Sequence, residues 1–308
     1  MPKTVNHCPL CDSSKSSPFD SRDFNSQHVE NRICDNCGLV FQSPRMTDEE
    51  LDAYYEREYR QTYQGQEGPD RKDLAVQSVR AESLLDFVRP HIFTLSTHLD
   101  IGCSAGLLLE AFHNQYGCQP VGIEPGRAYR EYAQALGLKV FSSLEVLEHS
   151  RQISENPEPA LSINNFDLIS MAHVLEHLAH PVAYLRSIRE DLFTSNGWLL
   201  IEVPNLYCHD SFEIAHLVSY STHTLAQTLE MAGFTIRASI AHGKPRSELL
   251  PLYLTVLARP SAQIIREHPQ RESGVKCKRQ LGLLRRRITT RLVPHQAWKP
   301  ISDEFHGG

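Results

Sequence analysis

From Thr97 onward the chain alternates short apolar runs with amphipathic stretches. The runs at 97–101, 120–124, 138–141 and 166–171 predict strands, and the segments 105–115 and 127–136 between them carry helical spacing. A helix from Pro181 to Leu192 follows, then a turn at Ser195-Asn196-Gly197 and a strand at Trp198–Val203. Next comes a helix from Thr222 to Ala232 closed by Gly233, and the strands Phe234–Ile240 and Leu252–Leu257 complete the series. Strands alternating with helices predict an α/β fold: a doubly wound, mostly parallel, seven-stranded Rossmann-like sheet with helices on both faces.

Upstream the pattern changes. Thr47-Asp48-Glu49-Glu50 has the form of a capping box, with Leu51, Tyr54, Tyr55 and Tyr59 following at helical spacing. A second helical stretch spans Arg71 to Val88, and Gln64 to Pro69, with Gly65 and Gly68, is a loop between the two. The tyrosines fit ordinary helix packing better than a lid over a pocket. Before this connector, Cys8-Pro9-Leu10-Cys11 and Cys34-Asp35-Asn36-Cys37-Gly38 form two tight pairs. Each pair points two thiolates to one spot, and four thiolates satisfy a tetrahedral zinc ion with no open position, so the predicted zinc is structural. Phe19, Phe24, Val29 and Ile33 are too few for a core, so metal supplies most of this segment's folding energy. The resulting division is a zinc ribbon at 1–45, a helical connector or lid at 46–94, a ligand-binding α/β domain at 95–259 and a basic tail at 260–308.

Composition narrows the function classes. A charge of −6 over 308 residues gives no global attraction for nucleic acid. No apolar run approaches the ~18 residues of a membrane span, and the first residues lack a signal-peptide core, so the expected location is cytoplasmic. Paired thiols suit a reducing compartment. The tail gathers Lys276, Lys278, Arg279, Arg285, Arg286, Arg287 and Arg291 among Leu281, Leu283, Leu284, Ile288 and Leu292. That pattern reads as a solvated terminal helix or arm, with contact to an anionic surface as its functional alternative.

The chemistry concentrates where His98-Leu99-Asp100-Ile101 runs into Gly102-Cys103-Ser104-Ala105-Gly106. A strand, a glycine turn and a helix start let backbone approach a ligand. Two acids then separate the candidates. Asp100 can receive the ammonium of an amino-acid tail, and Glu124, ending the next apolar run, can take both ribose hydroxyls. A pyrophosphate would meet Asp100 unfavourably, so S-adenosylmethionine fits better than a dinucleotide.

Asp100-Ile101-Gly102-Cys103-Ser104-Ala105-Gly106, Gly122-Ile123-Glu124-Pro125, Phe166-Asp167-Leu168-Ile169 and His173-Val174-Leu175-Glu176-His177-Leu178 together resemble the class I S-adenosylmethionine-dependent methyltransferases over roughly residues 80–258. The stretch through His180-Pro181 is similar to that in ubiquinone-type O-methyltransferases and sugar C-methyltransferases, and the latter also carry an N-terminal four-cysteine zinc module. The resemblance implies methyl transfer to a small-molecule acceptor, first a sugar or sugar nucleotide and next a quinone-like intermediate. Asp100, Gly102, Cys103, Gly106 and Glu124 would hold the cofactor, and the backbone near Met171 and Ala172 would line its adenosyl side. Two departures are Ser104, where many members carry glycine, and the lack of room for the sugar enzymes' further C-terminal domain. Methyl transfer to oxygen or carbon needs a base, and His177 is the candidate, oriented by Glu176 or His173. The plainer alternative is that His177 and Glu176 stabilise the turn. Glu213, His216 and Tyr220 lie where an acceptor pocket would form, with His216 the candidate for contact.

Three rival readings share these residues. Gly102-Cys103-Ser104-Ala105-Gly106 matches the nucleophile elbow of α/β-hydrolases, but no run of earlier strands precedes it. His173 to His177 matches an inverted zinc-peptidase pattern, which needs a sustained helix that Pro181 disfavours at His180. A non-catalytic zinc-ribbon adaptor is the third.

Overall fold

The computed structural model describes residues 3–24, 27–57, 68–153, 165–209, 212–261 and 266–301. Tyr59, the side chain of Tyr55 and most of the loop expected over 64–69 lie outside this range. Contacts divide the chain into two compact units that do not follow chain order. One comprises Met1–Leu51, His173–Glu190 and Ile201–Lys299; the other is built around Asp52–Ala172 and Asp191–Leu200.

In the first unit the cysteine pairs bracket the first two strands of an antiparallel sheet of order β1-β2-β3-β9. β1 (Ser16–Phe24) and β2 (Gln27–Cys34) pair along their length, β3 (Val40–Gln42) adds to β2, and β9 (Val218–Ser219) adds to β3. The β1 register shifts between Pro18 and Asp20, as expected of a strand whose proline has no N–H to give. Val29 and Val40 pack with Leu206, Phe212 and Val275, so the ribbon shares a core with later chain.

α1 (Asp48–Arg57) starts with the anticipated capping box: the Thr47 amide donates to Glu50 Oε2 at 2.9 Å and the Glu50 amide to Thr47 Oγ1 at 3.2 Å. α2 (Arg71–Val88) is capped by Asp70, which accepts from the Asp73 amide at 2.6 Å.

The large sheet has seven strands in the order β10-β11-β8-β7-β4-β5-β6. Its strands are β4 (Thr97–Ile101), β5 (Gln119–Ile123), β6 (Lys139–Phe141), β7 (Phe166–Ala172), β8 (Phe193–Pro204), β10 (Phe234–His242) and β11 (Tyr253–Pro260). β7, β4, β5 and β6 run parallel, while β10 and β11 are antiparallel. The helices are α3 (Leu107–Tyr116), α4 (Arg127–Ala135), α5 (Leu144–Ile153), α6 (Pro181–Asp191), α7 (Thr222–Met231), α8 (Val275–Leu292) and α9 (Pro294–Ala297). Among the described residues no helix is long and apolar enough to cross a membrane.

One local expectation is corrected. Ser195-Asn196-Gly197 is not a turn before a strand but part of β8, which begins at Phe193. A Cβ on Gly197 would lie 2.6 Å from the Phe193 ring and 3.1 Å from the Phe166 carbonyl oxygen, so this glycine permits close packing rather than a reversal. α5 was also absent from the sequence reading.

Candidate active site

The parallel register of β4 sets the first group of candidate residues, all within one unit. Asp100 pairs with Gly122 of β5 on one side and with Ser170 of β7 on the other. Ser170 Oγ donates to Asp100 Oδ1 at 2.6 Å. When Asp100 is ionised the single Ser170 proton goes to it, so His98 Nε2, 2.7 Å away, donates to Ser170 Oγ and His98 Nδ1 is left as a buried acceptor with no hydrogen-bond partner among the described residues. Burial pushes His98 down to about 3, so its imidazole is neutral. Burial pushes Asp100 up to about 7 against the pull of the Ser170 hydrogen bond, and the Glu124 charge adds to the rise. Asp100 is thus a buried carboxyl with no countercharge among the described residues.

Beyond Ile101 the chain turns through Gly102 (φ 76°), Ser104 (φ 53°) and Gly106 (φ 84°) before α3 begins. A side chain at Gly106 would strike Leu138 Cδ1 at 2.3 Å. Cys103 is buried, with its sulfur 2.6 Å from where a Cβ on Gly122 would stand. Glu124 closes the turn: Oε2 accepts from the Ser104 amide at 2.9 Å and Oε1 from the Gly126 amide at 2.8 Å. These two amides fix the orientation of a carboxylate, a group whose oxygens can accept from hydroxyls. Gln77 of α2 accepts from the Ala105 amide at 3.2 Å and donates to Asp73 at 2.7 Å, and Tyr129 donates to the same Asp73 oxygen at 2.6 Å. That engaged Ala105 amide is the one a Ser104 nucleophile elbow would need for its oxyanion, so the hydrolase reading finds no support here. Met171 and Ala172 end β7, Met171 fully buried and Ala172 half-buried.

In the other unit, the residues after β7 form a histidine–carboxylate cluster. His173 has a left-handed backbone (φ 58°), rare for a side chain of its size, and its amide donates to the Glu202 carbonyl at 2.8 Å. Its ring lies between two buried carboxylates, Nδ1 3.2 Å from Glu176 Oε1 and Nε2 3.3 Å from Glu202 Oε1. Glu202 Oε2 in turn lies 3.2 Å from both His242 Nε2 and Thr255 Oγ1. Leu175–His177 is a single 3-10 turn, not the sustained helix of a zinc peptidase. His177 Nδ1 donates to the Ala215 carbonyl at 2.8 Å, which fixes the tautomer and leaves Nε2 as the lone-pair nitrogen. Burial pushes His177 down to about 4 against the attraction of Glu176, so the ring is a neutral base at pH 7. Burial raises Glu176, but the His173 ring nitrogen 3.2 Å away and the positive charge that His177 and His173 take on at low pH outweigh it and hold the carboxyl at about 2.

His216 joins this cluster, its ring centroid 5.0 Å from that of His177 and its Nε2 3.5 Å from Glu213 Oε2. One ligand atom from each of Glu176, His177 and His216 falls within 4.8 Å of the others. The structure therefore brings the three candidates together, whereas Tyr220 is fully buried in the core. Glu202 and His242 were missed by the sequence reading. The available signal was a lone acid inside the apolar run Leu199-Leu200-Ile201-Glu202-Val203.

The four cysteines converge as expected. Cys8 Sγ is 3.6 Å from Cys37 Sγ, and Cys11 Sγ is 3.6 Å from Cys34 Sγ. A disulfide would need about 2.05 Å; a tetrahedron of Zn–S bonds near 2.3 Å has edges of about 3.8 Å, which these thiols fit. The turns use Asp12 (φ 57°) and Gly38 (φ 85°), and the Leu39 amide donates to Cys37 Sγ at 3.5 Å. Glu272 docks on this knuckle, its amide donating to the Cys37 carbonyl at 3.0 Å.

Comparison with known proteins places the chain in a family. Residues 74–239 match the profile described as "Methyltransferase domain", and the chain belongs to that family. A ubiquinone biosynthesis O-methyltransferase of Stutzerimonas stutzeri is 35% identical over 89 residues, covering 29% of this chain and 36% of the relative. One from Cereibacter sphaeroides is 30% identical over 140 residues, covering 46% and 54%. The chain thus spans between a third and about half the length of the curated relatives it matches. Among solved structures, the Burkholderia thailandensis 1,6-didemethyltoxoflavin-N1-methyltransferase, with bound 1,6-didemethyltoxoflavin and S-adenosylhomocysteine, aligns with a TM-score of 0.53 at 16% identity over 79% of this chain and 99% of that one. This likeness is one of fold.

Proposed function

We propose that the chain is an S-adenosylmethionine-dependent methyltransferase acting on a small-molecule acceptor. The observation that carries this reading is the pair of buried carboxylates at adjacent strand ends, Asp100 with no cation against it among the described residues and Glu124 held in place by two amides. Asp100 pairs with the cofactor's amino group and Glu124 accepts from its ribose hydroxyls. Gly102, Cys103 and Gly106 keep the turn open for close approach, and the backbone of Met171 and Ala172 flanks the adenosyl side. When bound, the cofactor supplies an electrophilic methyl group on a sulfonium. His177 Nε2 takes the acceptor's proton, Glu176 holds the imidazolium that forms, and His216 contacts the acceptor. Zinc in the four-cysteine site is structural.

The acceptor atom is a hydroxyl oxygen, a choice supported by the O-methyltransferase relatives. A sugar or sugar-nucleotide hydroxyl is the first acceptor to test and a quinone-like ring hydroxyl the second. Calorimetry with S-adenosylmethionine and S-adenosylhomocysteine tests the cofactor half, and product analysis with the two acceptor classes tests the other. Asp100→Asn and Glu124→Ala should each weaken S-adenosylhomocysteine binding at least about tenfold, the loss of a charge-assisted contact. Wild-type protein that takes up neither ligand would overturn the proposal.

A further inference from the structure

We propose that the outward face of α8 docks on an anionic lipid bilayer. α8 carries seven basic residues, Lys276, Lys278, Arg279, Arg285, Arg286, Arg287 and Arg291, and no acidic one, within a chain whose net charge is −6. Its inner face is anchored. Val275 and Arg279 are buried, and a Cβ on Gly282 would collide with the Tyr207 carbonyl oxygen at 1.8 Å. Arg286 donates to the Cys208 carbonyl at 3.0 Å. This anchoring aims Leu281, Leu284, Ile288 and Leu292 away from the body, and they are 60%, 51%, 48% and 75% exposed. At 100° per residue the four fall within one stripe opposite the Val275–Arg279–Gly282–Arg286 face.

Cations border the stripe on both sides, Arg285 on one, beside Lys278 whose ammonium pairs with Glu272 at 3.0 Å, and Arg287 and Arg291 on the other, all exposed. Beside it, Arg286, Arg287, Arg291 and Trp298 line a groove of about 450 Å³. Trp298 is 44% exposed and has the Arg246 guanidinium over its ring at 5.5 Å. An apolar ridge between cationic flanks, with an amphipathic aromatic at one end, is the pattern of a helix lying in the headgroup region. A second copy packed on the same face would bring Arg285, Arg287 and Arg291 against their own counterparts. A nucleic acid would use the cations and leave the four apolar side chains in water.

The test is vesicle flotation of the full zinc-loaded chain, with phosphatidylcholine vesicles and with phosphatidylcholine–phosphatidylglycerol vesicles. The wild type should float with the anionic vesicles and bind neutral ones at least about tenfold more weakly. Leu284→Glu with Ile288→Glu, and separately Arg287→Glu with Arg291→Glu, should each cause a loss of similar size. Zinc content and circular dichroism verify folding, and Leu292→Ser serves as a milder apolar variant. The proposal is overturned by failure to float, or by retention that neither pair of changes affects. It is equally overturned by a dimer in gel filtration that Leu284→Glu dissociates while vesicles stay unbound, or by oligonucleotide binding that responds only to the arginine changes. None of these outcomes depends on the methyl-transfer reading, which calorimetry tests separately.

Discussion

His177 is set up as a base by two independent features. The Ala215 carbonyl fixes the proton on Nδ1, and burial removes any charge from the ring at neutral pH. His177→Ala should therefore lower turnover by about 10²–10⁴-fold, the range for a lost general base, while S-adenosylhomocysteine affinity by calorimetry stays near wild type. Unchanged turnover would leave His177 as a residue that only stabilises its turn. The two carboxylates at the strand ends were legible in the sequence because each stands at a fixed place beside a glycine turn. Ser170 was not, since it meets Asp100 only through the register of β7 on β4, 70 residues apart in sequence. His173 was legible as a neighbour of His177, yet its position between Glu176 and Glu202 depends on β8 bringing the second carboxylate to it.

At the scale of elements, motifs with local physics could be read directly: the capping box of α1, the glycine turn before α3 and the cysteine knuckles each depend on residues close in sequence. Elements made by distant pairing could not. β9 contributes two residues to the ribbon sheet from beyond residue 200, and no two-residue strand has a periodicity to detect. Gly197 misled because glycine marks a turn as readily as a close approach. The ribbon also makes a quantitative prediction. Metal analysis of purified protein should give one zinc per chain, and Cys34→Ser should lose it together with the ordered β1–β3 segment, followed by proteolysis and circular dichroism. A second equivalent, removed by His177→Ala and not by Cys34→Ser, would assign the Glu176–His177–His216 cluster to a metal and take the proton-acceptor role from His177.

For the molecule as a whole, the buried titratable groups set opposing pH dependences. His98 and His177 have folded pKa values of about 3 and about 4, below their unfolded value of 6.5. The unfolded chain binds those protons first, so this stability is lost as pH falls below 6.5. Asp100 is raised from 3.8 to about 7, so its contribution has the opposite sign, present at low pH and lost as pH rises toward 7. Between pH 5 and 6 the histidines favour proton uptake by the unfolded state and Asp100 by the folded state, leaving a net excess of one proton in the unfolded chain. At 1.36 kcal/mol per proton per pH unit, these three groups together contribute a loss on the order of 1 kcal/mol per unit of acidification in the cofactor-free protein. A cation bound to Asp100 keeps it ionised and removes the opposing contribution. Urea midpoints in saturating S-adenosylhomocysteine should then fall about twice as steeply with pH as those of free protein. Asp100→Asn should show the steeper dependence without ligand, and equal slopes for all three preparations would mean that Asp100 does not carry a proton in the free protein.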